Sequence, residues 1–170
     1  MKFNLKKFAL IVEILGGFAI VISLIFVGIQ FKENAIATKS ANASATVAAM
    51  ADWYVTMGNN IESSTLFYNF MADPDALTPQ ERFQAVMNSH GLFIIFQNSF
   101  YLVKEGTLDA EMQVSLTSAM LGAVGQPGFK FFWDQRKSYF FKDFRLYIED
   151  LIKNGVPVKS IYKDISPKNK

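Results

Sequence analysis

The sequence predicts an all-α protein, in which an N-terminal transmembrane helix continues into a long helix that packs with a small helical bundle. Two observations carry this prediction. The stretch VEILGGFAIVISLIFVGIQF is apolar over the length that a bilayer requires. No later segment shows sustained alternation of apolar and polar residues, which is the pattern of a half-buried strand. A chain of 170 residues has room for one membrane segment and one compact domain.

The predicted membrane segment covers residues 8–31 and follows a basic tail at 1–7. As a helix it would be about 36 Å long at about 1.5 Å per residue, which is enough to cross a bilayer. Its polar side chains are Glu13, Ser23 and Gln30.

A cleaved signal peptide is the alternative, because Ala35 and Ala37 fit an A-x-A cleavage site. The apolar region is, however, much longer than the roughly 7–15 residues of a signal peptide, and charged residues follow it directly. We therefore expect an uncleaved anchor.

Glu13 has two interpretations. If the span begins at Ile14, the carboxylate lies at the head-group level near Lys6 and Lys7 and reaches water. If the span begins near Phe8, Glu13 lies inside the membrane and needs a partner or a hydrated cavity.

One face of the anchor is small and polar when its residues are placed at 100° per residue. This transmembrane packing face comprises Glu13, Gly16, Ala19, Ser23, Gln30 and Asn34. The opposite face carries bulky apolar residues that suit lipid. Because membrane helices associate through small residues and interhelical hydrogen bonds, the face predicts self-association.

Beyond the anchor, the chain predicts a helical extension at 32–57, a bundle domain at 58–155 and a flexible C-terminal tail at 156–170. The extension is rich in Ala and lacks Gly and Pro. The helices expected in the bundle are 61–72, 79–104, 109–124, 129–137 and 142–153.

The start of the third helix has the clearest local signal. Thr78 is placed to cap it, Pro79 occupies its first position, and Glu81 can close a capping box. The helix that follows is apolar nearly all round and is therefore expected to form the core of the bundle.

Composition excludes several classes of protein. The net charge is +2, and it comes from the first 39 residues, so the domain is nearly neutral and unlike a nucleic-acid binder. The chain has no cysteine, which removes disulfides, thiolate catalysis and the common zinc sites. We predict no cofactor, no metal site and no enzymatic activity.

A possible ligand pocket is predicted around His90, Asn98, Tyr101 and Trp133. His90 is the only histidine, and Asn98 is a polar residue within an apolar helix. In the alternative interpretation, His90 lies on a helix face and Asn98 bridges backbone groups inside the bundle.

A basic and aromatic stretch near the C-terminus is a candidate lipid-facing surface. Its cations are Lys130, Arg136, Lys137, Lys142 and Arg145. Such a mixture can dock on anionic lipid. In the alternative interpretation, the aromatics complete the core and the cations face water.

Three motifs carry a resemblance: EILGGFAIVISLIFVGIQFKEN, FQNSFYLVKEGTLD and FFWDQRKSYFFKDFRLYIE. Over 13–149 the chain resembles a widespread family of uncharacterised bacterial proteins, which have one N-terminal transmembrane helix and an all-helical domain. The resemblance implies the same layout and a bacterial inner membrane, but no activity. The motif positions are Asn98, Tyr101, Glu105, Gly106, Trp133 and Phe144.

The side of the membrane that holds the domain stays open from the sequence. Three lysines precede the span and two follow it within residues 32–39, so the positive-inside rule favours an exported domain. The resemblance implies a cytoplasmic domain, because a basic residue follows the span.

The leading hypothesis from the sequence is a non-enzymatic, membrane-anchored interaction or assembly module. Its expected partners are membrane lipid, a second copy of the chain through the anchor, and a protein partner that the sequence does not identify. The alternative is a membrane-tethered sensor or a domain that binds a small ligand or lipid.

Overall fold

The computed structural model describes residues 5–155 and Tyr162. Within these residues all regular secondary structure is helical, which confirms the predicted all-α class. The α-helices are α1 (Leu5–Asn59), α2 (Ile61–Ala72), α3 (Pro79–Lys104), α4 (Ala110–Leu121), α5 (Pro127–Arg136) and α6 (Lys142–Asn154). Short 3-10 turns cover Pro74–Ala76 and Lys137–Tyr139.

The chain separates into two units, one before and one after the junction of Ser40 and Ala41. The described part of the first unit is the N-terminal portion of α1, and its side chains are exposed. This portion includes an 18-residue window of mean hydropathy 2.7 with no buried residue. By length and composition α1 could therefore span a membrane, although a signal sequence meets the same two criteria.

The second unit begins within α1, because residues 41–59 belong to the helical bundle. Thr46 and Met50, one turn apart, are buried on the same face of the helix. One turn before them, the Asn42 amide donates to the carbonyl oxygen of Thr107 at 3.1 Å. Packing with the bundle thus starts near residue 41, inside the segment that the sequence assigned to an extension of the anchor.

Local hydrogen bonds explain where the helices of the bundle begin. The Asn60 side chain accepts from the Ser63 backbone N–H at 3.0 Å and caps α2. The predicted capping box at α3 is confirmed, since the Thr78 hydroxyl accepts from the Glu81 N–H at 3.3 Å and the Glu81 carboxylate accepts from the Thr78 N–H at 2.8 Å. Each cap satisfies backbone donors that have no partner within the helix.

The core of the second unit is largely aromatic. Phe70, Phe132, Phe144 and Ile148 are fully buried. The Phe93 ring of α3 lies at its centre and contacts the rings of Phe96, Phe129, Phe132, Trp133 and Phe140. Aromatic pairs at such distances add to the stability that burial of their apolar area provides.

The predicted C-terminal tail lies outside the described residues except for Tyr162. This side chain is partly buried and packs against the aromatic core.

Candidate functional site

A cavity of about 390 Å³ lies within the second unit, among α1 to α5. Small-molecule sites in proteins commonly have volumes of about 300–1,000 Å³ and largely apolar walls. Six of the side chains that line this apolar cavity are Trp53, Phe67, Phe93, Phe96, Met120 and Tyr162. It is the most natural candidate for a ligand site.

Trp53 forms one wall of the apolar cavity and is held in place by α3. Its indole Nε1 donates to Oδ1 of Asn88 at 2.8 Å. The Asn88 amide in turn contacts the Met57 sulfur at 3.6 Å, and the Phe67 ring meets the indole edge-on with centroids 5.3 Å apart. The polar atom of Trp53 is therefore occupied, and the ring offers the cavity an apolar surface.

The serine hydroxyls of the cavity wall are bonded to their own helices. Ser89 donates to the Ala85 carbonyl and Ser118 donates to the Val114 carbonyl, each at 2.9 Å. Such bonds satisfy the hydroxyl hydrogen without a ligand. The serines thus add little polarity to the cavity.

Tyr162 also contributes to the wall as a neutral group. Burial, with a smaller contribution from the charge of Tyr54, raises the pKa of Tyr162 to about 12. The phenol stays protonated at neutral pH, and none of the lining residues within 5–155 is Asp, Glu, Lys, Arg or His. An uncharged, apolar molecule is the chemical class that such walls accept.

The four residues of the predicted pocket lie elsewhere, and none of them lines the apolar cavity. Asn98 is exposed. Tyr101 is half-buried with its ring against Phe141, whereas Trp133 is buried in the core. At 100° per residue, positions 90 and 98 of α3 point about 80° apart around the helix axis. The side chains of His90 and Asn98 therefore do not line a common pocket.

His90 is part of an aromatic cluster at the edge of the core. Its ring lies 4.9 Å from the Phe140 ring and 6.2 Å from the Tyr139 ring, measured between centroids. Desolvation, and then the positive charge of Arg136, lower the pKa of His90. The imidazole therefore favours its neutral form.

The cations of the predicted basic stretch have different neighbours. Lys130 and Lys137 approach the carboxylate of Asp134 at 2.5 and 4.0 Å. Hydrogen bonding to Lys130, the largest cause, lowers the pKa of Asp134. The Arg136 guanidinium stacks over the Tyr139 ring at 4.3 Å. Lys142 is exposed and Arg145 is half-buried. The five cations are thus not equivalent as a lipid-facing surface.

The residues of the transmembrane packing face lie on the exposed surface of α1. All six of its residues are exposed in the single chain: Glu13, Gly16, Ala19, Ser23, Gln30 and Asn34. Self-association through this face stays a prediction.

The residues of the apolar cavity were not identified from the sequence. Trp53 lies in the predicted extension, and Met120 lies in a helix with no distinctive motif. The cavity depends on contacts between residues far apart in the chain, and no local pattern reports those contacts. The one available signal was the aromatic pair Trp53 and Tyr54 within an alanine-rich helix.

Comparison with known proteins gives no match, since no family model, curated protein or solved structure is similar to this chain. The geometry of the cavity and the chemistry of its walls are therefore the basis on which function is assigned.

Proposed function

We propose that the protein is a single-pass protein of a bacterial inner membrane whose helical domain binds an apolar small molecule, such as the acyl chain of a lipid. One observation carries the proposal: the helical domain holds a cavity of about 390 Å³ with no charged side chain among the described residues that line it. The apolar window of α1 and the resemblance to bacterial membrane proteins support the location.

The chemistry of the wall favours an apolar ligand over a polar one. A polar ligand would lose its bonds to water and would find serine hydroxyls that already donate to their own helices. An apolar ligand would lose only its contact with water, which is favourable. Cavities with apolar walls bind apolar molecules for this reason.

Tryptophan fluorescence provides a direct test. The chain has two tryptophans, of which Trp53 lines the apolar cavity and Trp133 does not. A Trp133→Phe variant of the full chain, kept in detergent micelles, leaves Trp53 as the single reporter. We expect 1-bromodecane, a heavy-atom quencher, to reduce its emission in a saturable way.

A matched pair of α4 variants supplies the control. Ser118→Phe places a ring in the apolar cavity and should abolish saturable quenching, whereas Ser115→Phe changes an exposed position outside the lining. Quenching that never saturates, or that is equal in both variants, would contradict the proposal.

Assembly through the anchor is a second candidate function. Its motivation is the exposed transmembrane packing face, which carries Glu13 and Gln30 on the same side as small residues. Polar side chains in a membrane are stabilised by a partner helix.

The orientation of the domain is a separate question, on which the lysine count around the span favours an exported domain.

A further inference from the structure

A second concavity, of about 430 Å³, lies between the start of α3 and the end of α5. Val86, Met87 and Phe131 form part of its lining, and Phe83 and Tyr139 also face it. The side chains of Phe83 and Tyr139 are 67% and 68% exposed. Two large aromatic rings at the surface of one groove leave much apolar area in contact with water, which is typical of a binding site.

Two arginines line the same groove. The Arg136 guanidinium carbon lies 4.3 Å from the Tyr139 ring centroid, and that of Arg82 lies 5.7 Å from the Phe131 ring centroid. In the part of the chain that the structure describes, the lining contains no Asp or Glu. The groove therefore combines an apolar surface with two fixed positive charges.

The two guanidinium groups are only partly satisfied within the described residues. Arg82 approaches the exposed carboxylate of Asp75 at 3.6 Å and donates to the carbonyl oxygen of Leu77 at 3.1 Å. Arg136 forms no ion pair in the described part of the chain, which leaves its terminal guanidinium nitrogens without a carboxylate, and its buried Nε, like that of Arg82, has no acceptor there. A guanidinium with unused donors beside an apolar surface is suited to a carboxylate or phosphate.

Arg136 also lies close enough to His90 for its charge to act on the imidazole. The charge of Arg136 contributes, after desolvation, to the lowered pKa of His90. A carboxylate bound to Arg136 would reduce this effect.

We propose that this groove binds a small anionic amphiphile, with its carboxylate or phosphate on Arg136 and Arg82 and its apolar part against Phe83 and Tyr139. A volume of about 430 Å³ suits a small molecule. The groove differs from the apolar cavity in its walls and in its charge, so this inference does not depend on the proposed function.

Calorimetric titration of the full chain in a neutral detergent tests the proposal. Octanoate carries both required features, acetate carries the anion without the chain, and 1-octanol carries the chain without the charge. We expect octanoate to bind at least tenfold more tightly than either control. We also expect higher salt to weaken the binding, because the groove is open to solvent.

Variants then locate the site. Arg136→Gln should weaken octanoate binding at least tenfold, and Phe83→Ala should weaken it through loss of an exposed ring that the fold does not bury. Lys153→Gln removes an exposed positive charge outside the groove and should leave the affinity unchanged. Equal thermal unfolding midpoints would show that the variants are folded.

Four results would overturn the proposal. The first is octanoate affinity that does not change in Arg136→Gln, and the second is acetate or 1-octanol binding as tightly as octanoate. The third is binding of a polyglutamate peptide, but not of octanoate, to a site that Arg136→Gln removes, because the ligand of the groove would then be an acidic protein segment. Loss of octanoate binding in Ser118→Phe, with Arg136→Gln unaffected, would move the ligand to the apolar cavity and likewise overturn the groove proposal.

Discussion

Gly128 sits where the backbones of α2 and α5 come into direct contact. A Cβ atom at this position would lie 2.7 Å from Cα of Met71 and would overlap the carbonyl group of Phe70. Backbone atoms, unlike the end of a side chain, cannot turn away from such an overlap. The lack of a side chain at Gly128 is thus required for the close packing of the two helices.

Gly128→Ala should therefore destabilise the fold by about 1–3 kcal/mol, the range typical of an overpacked site. Gly125→Ala is the matched control, because a Cβ there would meet no atom within 4 Å. Thermal unfolding of the full chain measures both. A Gly128→Ala midpoint equal to that of Gly125→Ala would show that α5 can move without cost.

His90 should make the stability of the domain depend on pH. Its folded-state pKa is lowered from the ordinary 6.5, chiefly by desolvation. Between the folded and unfolded pKa values the unfolded chain binds more protons, so stability is complete above pH 6.5 and decreases as the pH falls through that value.

Because His90 is the only histidine, a His90→Gln variant isolates the effect. We expect the thermal midpoint of the wild type to fall more than that of His90→Gln when the pH is lowered from 8 to 5.5. Parallel shifts in the two proteins would assign the acid sensitivity to carboxylates instead.

At the scale of the elements, agreement with the sequence is best where a local signal defines a helix end. The capping box formed by Thr78 and Glu81 marks the start of α3. Gly106, which has the single positive φ among the described residues (+71°), lies two residues after the end of α3. α4 ends at Leu121, three residues earlier than predicted. The Ala123 and Val124 N–H groups there bond three residues back and form turns instead of continuing the helix.

The packing of α1 was harder to predict than its helicity. An alanine-rich sequence predicts a helix well, but it does not show which residues contact a partner. The Asn88 amide, which bonds to Trp53, lies 35 positions along the chain, so the wall of the apolar cavity follows from tertiary contacts alone.

The transmembrane packing face of α1 gives a prediction for this element alone. Replacement of both Ala19 and Ser23 by Leu should abolish self-association, because bulky side chains keep the helix backbones apart. Ile22→Leu together with Ile25→Leu changes the opposite face and is the control. Energy transfer between labelled full-length chains in lipid vesicles measures association. Equal association of the two variants would remove this face as the contact.

At the scale of the whole molecule, the helical domain carries two concavities of different chemistry. The described lining of the apolar cavity has no charge, and the groove places two guanidinium groups beside exposed rings. A lipid has both an apolar chain and a charged head group. If both proposals hold, the two concavities suit the two kinds of surface that a lipid presents.

If the protein is anchored in a membrane as proposed, the source of its ligand depends on which side of the membrane the domain occupies. Three lysines precede the apolar window and two follow it within residues 32–39, so by a margin of one lysine the positive-inside rule favours an exported domain, whereas the resemblance implies a cytoplasmic one. The chain has no cysteine, and single cysteines can therefore be placed at Leu5, before the window, and at Ser138, an exposed site of the domain. With an impermeant maleimide on intact cells we expect labelling of the Ser138 site alone. Labelling of the Leu5 site alone would place the domain in the cytoplasm, where its ligand would come from the inner leaflet or from soluble metabolites.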